Sequence, residues 1–233
     1  MTIADMHYDF KQKINKIDSQ QYRNLKIPEI DWKLNEGYRL FIKMVAEPRI
    51  KNHMGFEVSQ RNIDDIRTLV VNSNCVAITN NIATLPDNYM HFVGAEVVME
   101  KGNCTEVRGK FHVKQHDDEF ELSPFDKSSF EWRTVNGVFF EDGVKFSTDG
   151  TFTLSQFCLS YIRIPAYIHN AIGFNAAGYN MPNGTLLTGT QDCELPEHTH
   201  REIVDLAVLI ATGDLQIADY QVKAAKLNMN KLS

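Results

Sequence analysis

Apolar residues recur every three or four positions at both ends of this sequence and alternate with polar ones in the middle. This change of period, from 3.6 to 2 and back, cannot be met by a single kind of secondary structure. Near the start, Ile3, Met6, Phe10, Ile14 and Ile17 fall on one stripe of a helix that Thr2 can cap, and Asp18-Ser19 reads as its stop. Pro28 then suits a first helical turn, and Ile30, Leu34, Tyr38, Phe41 and Val45 repeat the spacing until Glu47-Pro48. A third, short helix is expected from a Ser59 cap through Ile63, Ile66 and Leu69.

Between about residues 70 and 165 the chain is rich in Val, Phe, Tyr, Thr and Ile. It is broken by turn chemistry at Leu85-Pro86-Asp87-Asn88, Lys101-Gly102-Asn103, Asn136-Gly137, Asp142-Gly143 and Asp149-Gly150. The clearest hairpin runs from Phe139 to Phe146, with Asp142-Gly143 accepting the positive φ of a tight turn. A long strand is expected from Thr151 to Ile164, stopped by Pro165. No helical pattern separates the strands, so the expectation is an antiparallel sheet or small barrel and not a βαβ sheet.

Helical spacing returns after Pro196 with Ile203, Leu206, Ala207 and Ile210. Gly213-Asp214 interrupts it, and Ile217, Tyr220, Ala224 and Leu227 resume it. The sequence therefore predicts an α+β protein, a helical bundle formed by N- and C-terminal helices with an inserted antiparallel β-sheet or barrel. Its expected parts are an N-terminal helical part (1–70), a β insertion (71–168), a long docking loop (169–195) and a C-terminal helical part (196–233).

At 233 residues and 43% hydrophobic, such a chain can bury a core without staples. Its 30 acidic and 24 basic residues give a net charge of -6, the opposite of what a free nucleic-acid binder usually carries. Cys75, Cys104, Cys158 and Cys193 are widely spaced, without the close pairs of zinc ribbons or redox motifs, and read as reduced, partly buried thiols. The opening Met1-Thr2-Ile3-Ala4-Asp5 lacks a basic start, and no stretch reaches the roughly 20 apolar residues of a membrane span. The expectation is a chain made in a cytoplasm and kept there until assembly, with no membrane partner.

Few residues suggest chemistry. Cys193, Glu194, His198, His200 and Glu202 carry zinc-type donors, but in a helix starting at Pro196 the two histidines stand about 200° apart around the axis, too far to share an ion. First-turn surface histidines are the simpler reading. His112 and His116, followed by Asp117, Asp118 and Glu119, sit in a polar turn where an acidic run is usually solvated. There is no G-x-S-x-G elbow, P-loop or dinucleotide fingerprint, so no reaction, cofactor or metal is nominated. Asn103-Cys104-Thr105 and Asn183-Gly184-Thr185 match a glycosylation sequon that has no consequence in a cytoplasm. The aromatics Phe130, Trp132, Phe139, Phe140, Phe146 and Phe157 read as core of the sheet before they read as a stacking surface.

Residues 171–194 stand out. They hold four glycines, three asparagines and one proline, show no period, and are too long for an ordinary connection. They are read as a docking arm that orders only against neighbouring subunits, with Phe174, Tyr179, Met181, Leu186 and Leu187 as apolar inter-subunit anchors.

Asn15-Lys16-Ile17-Asp18-Ser19, Tyr22-Arg23-Asn24-Leu25 and Ile27-Pro28-Glu29-Ile30-Asp31-Trp32-Lys33-Leu34-Asn35-Glu36 together resemble the opening of head-to-tail connector proteins of crAss-like bacteriophages. Gln60-Arg61-Asn62-Ile63-Asp64-Asp65-Ile66-Arg67, Leu85-Pro86-Asp87-Asn88-Tyr89, Tyr161-Ile162-Arg163-Ile164-Pro165 and Glu194-Leu195-Pro196-Glu197-His198-Thr199-His200-Arg201-Glu202-Ile203-Val204 extend the likeness over almost the whole chain. The resemblance implies a non-enzymatic virion protein at the head-to-tail interface, assembled in the host bacterial cytoplasm. It implies a homo-oligomeric adaptor ring below the portal, commonly of about twelve copies, as part of the DNA conduit. Its partners would be itself, the portal protein, other tail or ring proteins and, transiently, genomic DNA, which an acidic wall would not hold. Two other classes stay open: a phage receptor- or carbohydrate-binding protein using the β zone, and a small metal-dependent hydrolase using Cys193, His198, His200 and Glu202.

Overall fold

The computed structural model describes residues 1–15, 25–46, 64–72, 75–117, 128–141 and 143–214. The fold is mixed α and β, with one large sheet and a few helices, and it divides into two compact units. One is built from both ends of the chain, 1–69 and 165–233, and the other is Val70–Ile164.

In the first unit, α1 (Ile3–Asn15) buries the expected stripe: Ile3, Met6, Phe10 and Ile14. Thr2 and Asp5 cap it reciprocally, the Asp5 amide donating to Thr2 Oγ1 and the Thr2 amide to Asp5 Oδ2. Ile17 and Ser19 lie outside the described residues. Helix α2 (Ile27–Ala46) has Pro28 in its first turn and buries Ile30, Leu34, Tyr38, Phe41 and Val45. Its Gly37 lets the backbones of two helices approach, since a Cβ there would stand 2.8 Å from the Ile203 carbonyl and the Ala207 amide. Of the third expected helix only Asp64–Leu69 is described, ending in a 3-10 turn at Arg67–Leu69; Ser59 and Ile63 lie outside it.

Helix α4 (His200–Asp214) follows a 3-10 turn, Glu197–Thr199, and buries Ile203, Leu206 and Ala207. Its Asp205 meets Lys13 of α1 at 2.7 Å. The second stripe, Ile217 to Leu227, falls outside the described residues.

Residues 171–194 depart from the expectation of an aperiodic arm. They hold a short helix, α3 (Ala171–Phe174), a two-stranded pairing of β10 (Tyr179–Asn180) with β11 (Leu186–Leu187), and a pairing of β12 (Thr190–Gln191) with β9 (His169–Asn170). Glycines 178, 184 and 189 take positive φ at the bends between them. The content that reads as disorder serves tight turns.

The second unit is a sheet in the order β1 (Val70–Asn72), β8 (Thr153–Arg163), β4 (Tyr89–Lys101), β5 (Cys104–Val113), β6 (Thr134–Phe140), β7 (Gly143–Ser147), β3 (Ile82–Thr84). Strand β2 (Val76–Ala77) pairs with β8 and turns into β3 through Asn80 and Asn81, both in the left-handed region. A Thr79–Ile82 bridge spans that turn. The pairing path thus returns to β8, and the sheet curls around Val97, Met99, Phe111, Val144, Phe146, Phe157 and Leu159, whose aromatic rings meet edge to face.

Three expectations for this unit need correcting. The sheet is not purely antiparallel, because β5 and β6 run parallel, Lys110 opposite Thr134 through Val113 opposite Gly137. A connection of some twenty residues, 114–133, is long enough for the crossover that parallel strands need. Asn136-Gly137 is not a turn, for both residues lie within β6 and a Cβ on Gly137 would strike the Phe111 ring. Gly143 does end the β6–β7 hairpin, where Phe140 pairs with it, but it serves close approach rather than positive φ, since the Ala83 carbonyl of β3 occupies the place of a Cβ.

The cysteines also differ. Cys75 and Cys158 form a disulfide, while Cys104 and Cys193 are free thiols. A sequence separation of 83 carries no spacing signal, since only the β2–β8 register brings the pair together.

Candidate docking site

Asp31 sits in the first half of α2 with no exposed surface, and a carboxylate so placed must be satisfied inside the protein. His7 Nε2 of α1 lies 2.7 Å from its Oδ1. The Tyr179 hydroxyl of β10 donates to its Oδ2 at 2.7 Å, and the Asn170 amide donates to Oδ2 at 3.1 Å. One turn later Asn35 donates from Nδ2 to the carbonyls of Asp31 and Ile168, while its Oδ1 accepts from the Ile168 amide at 2.9 Å.

These bonds fasten the 165–194 segment to α2. The Ile3 amide donates to Asp192 and the Ala166 amide to Glu194, adding two further ties within the unit. The segment is therefore packed on its own subunit, contrary to the expectation that it orders only in an assembly.

Two tyrosines continue the network outward. Burial pushes the Tyr167 hydroxyl up to about 12, with the Asp31 charge adding to it. Tyr179 is pushed higher still, by burial first and then by its bond to Asp31. Both stay protonated donors under ordinary conditions. Beside them lies a groove of about 570 Å³, lined by Leu25, Pro28, Trp32, Met181, Pro182 and Ala211. Lys33 at its rim is held by Asp214 and Glu36.

The five expected anchors separate into three groups. Phe174 and Leu186 are 47% and 57% exposed, and Ile172, which sequence reasoning passed over, is 61% exposed on the same segment. Tyr179 is only 9% exposed and cannot act as a free anchor, since its ring packs on Phe174 and its hydroxyl on Asp31. Met181 and Leu187 are half-buried, Met181 facing the groove. Trp32 and Tyr167 were also missed. Trp32 follows the buried Asp31 on α2 with its face open, a hint available only once the buried stripe is known.

The histidines go separate ways. His198 Nε2 lies 2.7 Å from Asp65 Oδ1, whereas His200 is buried with Nε2 on the Leu195 carbonyl and Nδ1 on the Met1 carbonyl. Burial raises the Cys193 thiol to about 11. His112 is exposed near the end of β5, His116 follows in a bend, and Asp118 and Glu119 lie outside the described residues. Among the described residues no group of three or more His, Cys, Asp or Glu is placed to hold a metal ion, and no helix is long and apolar enough to cross a membrane. No family model matches the chain, and no curated protein matches it.

Proposed function

We propose that this chain is a structural subunit of a bacteriophage particle, one that forms a ring in the head-to-tail connector below the portal. The observation that carries the reading is an apolar surface on a rigidly held segment. Ile172, Phe174 and Leu186 are exposed on a stretch that Asp31 and Asn35 fix to α2 through buried bonds. A segment ordered in advance loses little entropy when a neighbour covers it. In this reading α1, α2 and α4 act together as a bundle built from both chain ends, and neighbouring bundles pack side by side around the DNA conduit, about twelve to a ring. The net charge of -6 suits a conduit wall that does not retain DNA.

Substituting Ile172, Phe174 and Leu186 together by Ser tests the role of this surface. The expected result is a folded monomer, with unchanged circular dichroism, that no longer forms rings. Rings of unaltered size from the variant would remove the segment from the interface. A second reading, a receptor- or carbohydrate-binding protein, draws on Trp132, which is 82% exposed in the turn before β6. It predicts a glycan-binding signal that Trp132→Ala abolishes and a trimer or monomer in place of a ring.

A further inference from the structure

The barrel closes through a narrow seam. Strand β2 meets β8 at two residue pairs, Val76 opposite Phe157 and Ala77 opposite Gln156, continued by a single bond from the Ile78 amide to the Ser155 carbonyl. Strand β3 depends on the same seam, because it joins β2 through the Asn80-Asn81 turn and touches the rest of the sheet along β7. The opposite edge of β8 meets β4 along nearly its whole length. Closure therefore rests on β2 and on the three pairs that β1 makes just before it on the same edge of β8, fewer than β4 makes on the other edge.

Cys75 and Cys158 lie on that seam. The register that sets Val76 against Phe157 sets Cys75 directly against Cys158, so the disulfide is one more rung, and a covalent one. Along β8 the residues Phe157, Leu159 and Tyr161 are buried in the core while Cys158, between them, is half-buried, which places the bond on the outer face. Cys75 is exposed. A small thiol can reach it without opening the core.

We propose that Cys75–Cys158 is a redox-sensitive latch on barrel closure. The thiolate of a small monothiol attacks the exposed Cys75 sulfur, the S–S bond breaks, and Cys158 leaves as a thiolate that takes a proton from water. A second monothiol attacks the mixed disulfide, releasing Cys75 as a thiol and leaving the reductant as its own disulfide. The protein pair gains two electrons and two protons, and an oxidising small disulfide reverses both steps. In the reduced state β2 is held by its two pairs, the Ile78 bond and the three pairs that β1 makes just before it on β8, and β2 with β3 opens more often. In the oxidised state the seam is fixed. The latch lies wholly within the β unit, so its test is separate from that of ring formation.

Amide hydrogen exchange on the full chain, with and without glutathione, tests the latch, with intact mass confirming the gain of two hydrogens. Reduction is expected to speed exchange at the Ile78, Ile82 and Phe146 amides, which all donate across the seam or its turn, by about tenfold or more. Val97 and Val107, on β4 and β5, are expected to exchange at their former rates. The double substitution Cys75→Ser with Cys158→Ser should exchange fast at the seam whether or not glutathione is present. Three results would overturn the latch: no gain of hydrogens, unchanged seam exchange after a complete gain, or equal acceleration over every strand, which would mark a bond that stabilises the unit as a whole.

Discussion

The His7 imidazole and the Asp31 carboxylate meet at 2.7 Å, each shut off from solvent, one on α1 and the other on α2. Asp31 also takes bonds from Tyr179 and the Asn170 backbone, so a single carboxylate joins two helices and the segment that carries the exposed apolar residues. Removing one partner of such a buried group costs more than the bond itself, because the rest of the cluster loses its satisfaction.

Asp31→Ala is expected to destabilise the protein by about 3–5 kcal/mol, and Tyr179→Phe by about 1.5–3 kcal/mol. Urea unfolding of the two single variants and the double variant measures both. The double variant should lose clearly less than the sum, since both substitutions empty one cluster.

The tyrosines predict the response to alkali. Tyr167 and Tyr179 hold their protons above the ordinary value of 10.0 in the folded chain, chiefly through burial, and ionise near that value once unfolded. The folded state then binds more protons above pH 10. The stability these groups give is whole below that pH and is lost as pH rises towards about 12, where Tyr167 ionises. Unfolding midpoints at pH 9 and 11 should show the fall, and Tyr167→Phe should lessen it. Ultraviolet titration should find some of the eight tyrosines silent until well past pH 10.

Gly37→Ala should lower stability by about 1–3 kcal/mol, because the added methyl would meet the backbone of α4 at Ile203 and Ala207, which cannot turn aside. Thermal melting measures it. An unchanged melting temperature would mean that α2 and α4 slide apart freely.

The free thiols should differ sharply. Cys104 is exposed, while Cys193 is half-buried and its thiol raised to about 11. Brief alkylation at pH 8 should modify Cys104 alone, and Cys193 only after unfolding. Intact mass followed by peptide mapping distinguishes the two.

Much of the fold is legible in the sequence because its helices and strands each answer to a local period. Ile3, Met6, Phe10 and Ile14 could line only one face of a helix, and that face is buried. The parallel pairing of β5 with β6 is not legible, since it depends on where the chain returns after residue 113 and not on any residue within either strand. Asp31 was passed over for a similar reason. In the sequence it is one acidic residue near a helix start, where a solvated carboxylate is ordinary, and its side-chain partners lie 24 and 148 residues away. Residues 171–194 misled in the other direction. Their glycines and asparagines suggest disorder, yet Gly178 and Gly184 make bends, and the Asn170, Asn175 and Asn183 side chains accept from backbone amides two or three residues on.

The anchoring of that segment predicts protease resistance in the free chain. Limited chymotrypsin treatment should leave residues 171–194 intact until the unit unfolds, with Asp31→Ala opening the sites at Phe174 and Tyr179. Rapid cutting in the unaltered protein would show that the buried bonds do not hold it.

The proposed ring is tested most directly by native mass spectrometry of the purified chain, alone and with the portal protein encoded beside it. The account predicts a closed species of about twelve copies at high concentration, and a complex in which that ring binds the portal. A chain that stays monomeric or trimeric at every concentration, and ignores the portal, would contradict it.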